Sequence, residues 1–370
     1  MYIIIGLEKN LDSRSLSLIE TYNSLSSSKT IFINSKSNNL IIRLIKVLFT
    51  FIKEFFQKYK NITGIIVLFK SHLLYPFIFV LSKFFRKIII FDLGYPFKDN
   101  SSYENKFIKN IYSLIEIIFL NNKKTNLLLE SDSQIRRLKK KFRHSNLYSH
   151  YMTESKGFEK IPDIFINSNS EEFVYLENLK NINYILFRGR LNYESGILEI
   201  IKSFHEYSEN KKKNKIKLVI QGRGMLEKKV IEKLKILANK DIIFINKFIS
   251  NSNMEKIMKS SIAILGQFNN YQNRLNYTIP NKYYEALKLN KFYITPSWEP
   301  LKHPYLEKTK LIFPLIDQNY NFKLWLINNL EFLIKDKCLI DKDIKIISSE
   351  CLNWHRLSNK STLKNIIFNS

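Results

Sequence analysis

Lys217-Leu218-Val219-Ile220-Gln221-Gly222-Arg223-Gly224-Met225-Leu226-Glu227 decides the fold. An apolar run ends in a pair of glycines, and the chain passes at once into a helix-like segment opening at Met225-Leu226-Glu227. Glycines at such a place permit a tight strand-to-helix turn and let a ligand approach the backbone. The same step from strand to helix recurs along the whole sequence. Continuous apolar runs such as Ile65-Ile66-Val67-Leu68-Phe69 suit strands buried on both faces. Alternation of this kind predicts parallel sheets covered by helices.

Working outward, the second half gives strands at Asn183–Arg188, Lys215–Gln221, Asp241–Asn246, Ser261–Gly266, Lys291–Thr295 and Lys310–Pro314. Helical patterns follow near 195–208, 225–238, 253–260 and 281–289. Ser252 and Glu255 have the spacing of a capping box before a short helix. The first half gives strands at Tyr2–Gly6, Lys29–Asn34, Gly64–Phe69, Lys87–Phe91, Asn126–Ser131 and Leu147–Met152. Its amphipathic segments lie near 12–26, 40–59, 72–85, 103–119 and 132–143. The chain has 370 residues, room for two domains of about 150–200 residues each. We expect one domain over 1–175, a second over 176–350, and a closing segment over 351–370. The polar stretch from Asn167 to Asn183 is the expected linker. No repeat of solenoid length is evident.

Composition excludes several classes. Only 9 Gly and 8 Pro occur, too few for a collagen-like or loop-dominated chain. Cys338 and Cys351 form no metal-ligating or disulfide ladder, so a reducing cytoplasm is expected. The amino terminus reads as a strand, without the pattern of a signal peptide. Apolar stretches such as Leu73 to Leu81 are shorter than the ~20 residues that cross a bilayer. The net charge is +26, from 59 basic against 33 acidic residues. Nucleic acid, anionic lipid and phosphorylated substrates are the candidate counterparts, as is a codon bias towards Lys, Asn and Ile. No recognised nucleic-acid motif accompanies the charge.

Segments of the second half that reach the carboxyl ends of its strands are the candidate site, because α/β sheets bind ligands there. Gly189 permits close approach, and Arg190 can clamp a diphosphate with its fork of N–H donors. The competing reading is a surface arginine at a strand end. Gly222 and Gly224 form the turn quoted above, and a lone Gly-x-Gly is weak evidence. In Thr278-Ile279-Pro280-Asn281-Lys282-Tyr283-Tyr284-Glu285, Thr278 is a plausible cap and Pro280 suits a first helical turn. Backbone N–H groups there favour an anion. Lys282 adds charge, and Glu285 lies one turn on, on the face of Asn281 and Lys282. It can accept from ribose hydroxyls, or it forms an ordinary surface pair with Lys282.

The order of these motifs resembles glycosyltransferase family four, the group 1 glycosyltransferases of GT-B fold. The matching residues are Gly189-Arg190-Leu191 followed by Ser195-Gly196, then Leu218 to Gly224, then Pro280 to Leu287 before Phe292-Tyr293-Ile294-Thr295. Asn353-Trp354-His355-Arg356 is similar to the family's final helix, which crosses back to the first domain. The likeness covers most of 180–370 and is thinner over 1–180. It implies two doubly wound, Rossmann-like domains facing a central cleft, with an acceptor-binding first domain and a donor-binding second. It implies Arg190 on the donor diphosphate and Glu285 on the ribose, and transfer with retained stereochemistry, without a bound metal or other cofactor. Donor-binding candidates are therefore Gly189, Arg190, Gly222, Gly224, Pro280, Asn281, Lys282 and Glu285. Arg190, Lys282 and His72 are the catalytic candidates. His72 opens the helix after a first-domain strand and either faces the cleft or is a packed histidine.

The chain departs from the family in two places. Ser195 stands where the family has a diphosphate-binding Lys, a role open to Arg188, Arg223, Arg274 or Lys282. Tyr277 stands at the first Glu of the family's paired-Glu motif. Asp341-Lys342-Asp343 is read as helical surface, not a metal site. Residues 40–59 form a basic amphipathic helix, with Ile41, Leu44, Ile45, Leu48, Phe51, Ile52, Phe55, Phe56 and Tyr59 on its apolar face. Arg43, Lys46, Thr50, Lys53 and Gln57 make the other face. The apolar face is expected on the sheet and the basic rim against anionic lipid. The expected partners are a nucleotide-diphosphate sugar, a glycan or lipid-linked saccharide acceptor, and the inner face of the cytoplasmic membrane. Rival classes are a catalytically impaired scaffold of the same fold and a nucleic-acid binder.

Overall fold

The computed structural model describes residues 1–9, 11–25, 30–85, 87–94, 96–97, 105–153, 178–210, 216–247, 249–269, 275–301, 315–316, 322–335 and 337–368. The chain divides into two compact units, Met1–Glu154 with Trp354–Ser370, and Ser155–Asn353. Most of the expected linker lies outside the described residues.

The first unit contains strands β1 (Tyr2–Ile5), β2 (Ile31–Ile33), β3 (Gly64–Val67), β4 (Ile88–Gly94), β5 (Thr125–Leu129) and β6 (Asn146–Ser149). They form one parallel sheet in the order β2-β1-β3-β4-β5-β6. Its helices are α1 (Ser13–Leu25), α2 (Leu40–Lys58), α3 (Tyr75–Phe85), α4 (Lys106–Leu120) and α5 (Asp132–Leu138). Alternate strand residues feed opposite layers, as the period of two requires. Ile3, Ile5, Ile65, Val67, Ile89 and Phe91 share a core with Phe51, Phe55 and Ile78. Tyr2, Ile4, Ile66 and Ile90 share another with Leu18, Tyr22, Leu363 and Ile366.

The second unit contains β7 (Asn183–Arg188), β8 (Ile216–Gln221), β9 (Ile242–Ile245), β10 (Ala263–Leu265), β11 (Phe292–Pro296) and β12 (Leu315–Ile316). All their pairings are parallel, in the order β12-β11-β10-β7-β8-β9. Its helices are α6 (Ile197–Asn210), α7 (Glu227–Leu237), α8 (Asn251–Ser260), α9 (Asn281–Lys288) and α10 (Phe322–Lys335), and α11 (Lys337–Phe368) runs on from it. From β7 the chain winds one way to β8 and β9, then returns to β10 on the other side. The strand order therefore reverses at β7, and such a reversal opens a crevice beyond the strands' carboxyl ends. Among the described residues, no helix is long and apolar enough to cross a membrane.

Several expectations change. The strand expected over Lys310–Pro314 lies outside the described residues, and the strand beside β11 is Leu315–Ile316. α8 is capped by Ser250, whose Oγ accepts from Asn253 N at 3.4 Å, rather than by Ser252. The chain turns helical two residues earlier than the capping box implied, and Glu255 pairs with Lys259 at 2.7 Å instead of reaching back. α9 has Pro280 itself as its cap, and no side chain caps it. Thr278 is buried upstream of it. The apolar face expected on α2 is split. Phe51 and Phe55 are buried, whereas Ile41, Ile45, Ile52 and Phe56 are exposed.

Candidate donor site of the second unit

The site grows from the end of β7. Ile185 and Phe187 join the core beneath α6, so Leu186 and Arg188 fall on the opposite face of the strand, with Tyr184. Tyr283 of α9 packs edge-on against Tyr293 of β11, with ring centroids 5.6 Å apart. Phe292 and Ile294, on either side of Tyr293, join the α6 core, so α9 covers the face that Arg188 shares. Glu285 of α9 meets Arg188 there: Nη1 donates to Oε1 at 2.6 Å. The pair is largely buried, with side-chain exposures of 24% and 8%. Glu285 Oε2 is buried and has no hydrogen-bond partner among the described residues. A buried carboxylate oxygen left unmatched is costly, so this atom is a ready acceptor for a ligand hydroxyl.

Lys282, one turn earlier, crosses the β7 loop. A Cβ built on Gly189 would lie 2.6 Å from Lys282 Cε and 3.0 Å from its Nζ. A side chain at this position would push the lysine tip off that path. The ammonium sits 3.9 Å from the centre of the Phe187 ring, a cation–π contact. Burial lowers the Lys282 pKa to about 7, opposed by the Glu285 charge and reinforced by Arg188. Lys282 thus loses its proton far more readily than an exposed lysine, and an arriving anion would favour the charged form.

The glycine turn is locked to the same loop. Gly189 N donates to Gln221 O at 3.0 Å, Leu191 N to Arg223 O at 3.0 Å, and Leu226 N to Leu191 O at 2.9 Å. A Cβ on Gly222 would fall 1.8 Å from Gly189 O, so no other residue fits without opening the two loops. The cap of α9 adds the third wall: Pro280 supplies no side-chain acceptor, and Asn281 is exposed at the first turn. Backbone donors and the helix dipole there favour an anion.

The structure brings Gly189, Gly222, Gly224, Pro280, Lys282 and Glu285 to one edge of the sheet. Arg190 is exposed on the same loop, directly after Gly189. Of the cations considered in place of the family's Lys, Arg188 is engaged by Glu285, and Arg223 pairs with Glu227 at 3.3 Å. Arg274 lies outside the described residues. Lys282 remains on the glycine loop. Ser195 itself is buried, with its Oγ donating to Asn192 O. Tyr277 is also buried.

His72 belongs to the first unit, in a short 3₁₀ turn before α3. It is 3% exposed, its Nε2 lies 3.1 Å from Glu116 Oε1, and its ring packs on Tyr75, Phe97 and Tyr112. Of the two readings open in the sequence, this is the geometry of the packed one. Asp341-Lys342-Asp343 is helical, within α11, and Lys342 and Asp343 are exposed.

Residues 169–268 match the family model described as glycosyl transferases group 1. Over that span the chain is similar to the group 1 glycosyl transferases. The match takes in β7, the Gly189–Leu191 loop and the Gly222–Gly224 turn, and ends before α9. Among solved structures, sucrose-phosphate synthase from Thermosynechococcus elongatus is similar at a TM-score of 0.63 and 10% identity, covering 100% of both chains. HepE of Anabaena in complex with UDP is similar at 0.62 and 10% identity, covering 98% of this chain and 99% of that one. An E. coli structure described as trehalose-6-phosphate bound with UDP-2-fluoro glucose is similar at 0.60 and 10% identity, covering 99% of both. At such identities the likeness is one of fold, the GT-B fold of two parallel α/β sheets. No curated protein sequence matches this chain significantly.

Arg188 is the site residue that the motifs alone did not place. Its signal was present in the period of two along β7, which sets it opposite the buried Phe187. Nothing in the sequence said that α9 would bring Glu285 to that face.

Proposed function

We propose that this chain is a glycosyltransferase that takes a sugar from a nucleotide-diphosphate donor and passes it, with retained stereochemistry, to a lipid-linked or surface-polysaccharide acceptor. The acceptor would be met at the inner face of the cytoplasmic membrane. The observation that carries the donor reading is the unmatched Oε2 of Glu285, whose Oε1 is held by Arg188, beside Lys282 and the glycine loops. In this reading Oε2 accepts from a ribose hydroxyl, and Gly189, Gly222 and Gly224 let the diphosphate approach the backbone. Lys282, Arg190 and the start of α9, at Pro280 and Asn281, face its phosphates.

The chemistry follows from charge. As the bond from the sugar's anomeric carbon to the diphosphate breaks, its electron pair leaves with the phosphate oxygen. The acceptor hydroxyl oxygen forms the new bond to that carbon, and its proton passes to the departing diphosphate. Cations and backbone donors already aimed at the departing oxygen stabilise the charge that grows there. The solved structures holding UDP and UDP-2-fluoro glucose support a uridine diphosphate leaving group. A screen of nucleotide sugars, read by release of the nucleoside diphosphate, tests the proposal. Release from one donor in the presence of a glycan acceptor is expected. Absence of both release and nucleotide binding would favour a non-catalytic scaffold of the same fold, the reading that the buried Ser195 and Tyr277 favour.

A further inference from the structure

The first unit carries a broad apolar surface that no described part of the chain covers. α2, α3 and α4 lie side by side on one face of its sheet. Phe51 of α2 meets Phe77 of α3 at 5.9 Å, and Phe79 of α3 meets Phe119 of α4 at 5.5 Å. Their inward residues, among them Phe51, Phe55, Ile78 and Leu120, join one core. α1 and the end of α11 pack the opposite face of the sheet. The backs of α2, α3 and α4 therefore turn the same way, outward.

Those backs are apolar too. On α2, Ile45, Phe49, Ile52 and Phe56 form a stripe at helical spacing, and Phe49 is 72% exposed. On α4, Phe107, Ile111, Leu114 and Ile118 repeat that spacing, with Phe107 also 72% exposed. Phe84 of α3 is 75% exposed. A helix of a water-soluble domain needs one apolar stripe, whereas α2 and α4 each have an inward and an outward one. Contiguous exposed apolar surface of this kind marks an interaction site.

Charge selects the occupant. Lys46 and Lys53 are exposed beside Ile45 and Ile52, and Lys58, Lys60 and Lys106 are exposed at the helix ends. The acidic residues of the three helices are Glu54, held by Lys58 at 2.7 Å, and the buried Glu116. With a net charge of +26, a second copy docked here would set one basic rim against another. An anionic bilayer offers phosphates to the rim and acyl chains to the stripes.

We propose that the α2–α3–α4 face seats the chain in the headgroup layer of an anionic membrane by inserting these stripes. The inference deepens the membrane-side acceptor reading above and rests on it for its purpose. It also revises the sequence expectation, in which the basic rim alone met lipid. The test is co-sedimentation of the full chain with phosphatidylcholine vesicles, with and without phosphatidylglycerol. The variant is F49S/F56S/F107S/L114S, all exposed positions, so its melting midpoint and UDP binding should match the parent. Parent protein is expected to bind the anionic vesicles and to keep part of that binding in high salt. The variant is expected to lose more than about tenfold in affinity, and K46A/K53A to lose the salt-sensitive part. Unchanged sedimentation of the quadruple variant would overturn the proposal. So would a parent dimer that the same substitutions split, with no vesicle binding. Vesicle binding without nucleotide release from any donor would sustain this surface and overturn the transfer reading instead.

Discussion

Replacing Glu285 by glutamine isolates the charge at the centre of the proposed donor site. Glutamine keeps the shape and can still accept from Arg188, but the ionised oxygen now at Oε2 is gone. A hydrogen bond to a charged group contributes about 1.5–3 kcal/mol. At about 1.4 kcal/mol per tenfold, its loss raises the Kd for the nucleoside diphosphate roughly 10- to 150-fold. The folded state also loses the ion pair with Arg188, whose side chain is 24% exposed. That cost falls between ~1 kcal/mol for an exposed pair and ~3 kcal/mol for a buried one. For a domain the size of the second unit it lowers the melting midpoint by about 2–4 °C per kcal/mol. Titration calorimetry with UDP and a thermal melt on the same sample separate the two effects. A lowered midpoint with a Kd within about twofold of the parent would refute the ligand role, leaving Glu285 as a brace for Arg188. Glu285→Ala, which removes the acceptor altogether, should abolish detectable binding.

The lysine gives a pH signature. Burial holds Lys282 near 7, below the ~10.4 of an unfolded lysine. Between these values the unfolded chain keeps the proton and the folded chain does not, so stability rises with pH from about 7 to about 10. Lys282→Met should flatten that part of the profile in denaturant melts. A bound diphosphate favours the charged ammonium, so UDP affinity should fall from about pH 6 to about pH 9, with proton uptake seen by calorimetry in buffers of different ionisation enthalpy. Lys282→Met should remove that dependence. Gly222→Ala sets a methyl 1.8 Å from Gly189 O; the strain of overpacking, about 1–3 kcal/mol, should lower the melting midpoint and weaken UDP binding together. His72→Ala should cost about 1–3 kcal/mol in a thermal melt, because Glu116 loses a buried partner. UDP affinity should stay unchanged, and a tenfold loss would give His72 a role at the donor.

Much of the architecture was legible in the chain. β7 begins and ends where the apolar run Asn183–Arg188 does, because a strand buried on both faces leaves a continuous apolar signature. The glycine turn after β8 was equally plain, since two loop backbones in contact tolerate no side chain at Gly222. Helix starts were less so. Ser250 and Ser252 offer the same hydroxyl, and local spacing does not distinguish which of them the chain uses. The amphipathic pattern of α2 also misled: an apolar arc wide enough for two stripes does not say which one the sheet will cover.

The sequence by itself determined the alternation of strand and helix, the glycines at the strand ends, and the order in which Gly189, Arg190, the Gly222–Gly224 turn and Pro280–Glu285 arrive. These are properties of neighbours in the chain, set by backbone sterics and by the period of apolar residues. Only the tertiary structure decided that Glu285 spends one oxygen on Arg188 and keeps the other unmatched, that Lys282 lies across Gly189, and that His72 is packed on Glu116. It likewise decided that α2 and α4 turn an apolar stripe outward. Those contacts join residues many positions apart, and they arise from how the strands order in each sheet and which face each helix covers, which no local pattern encodes.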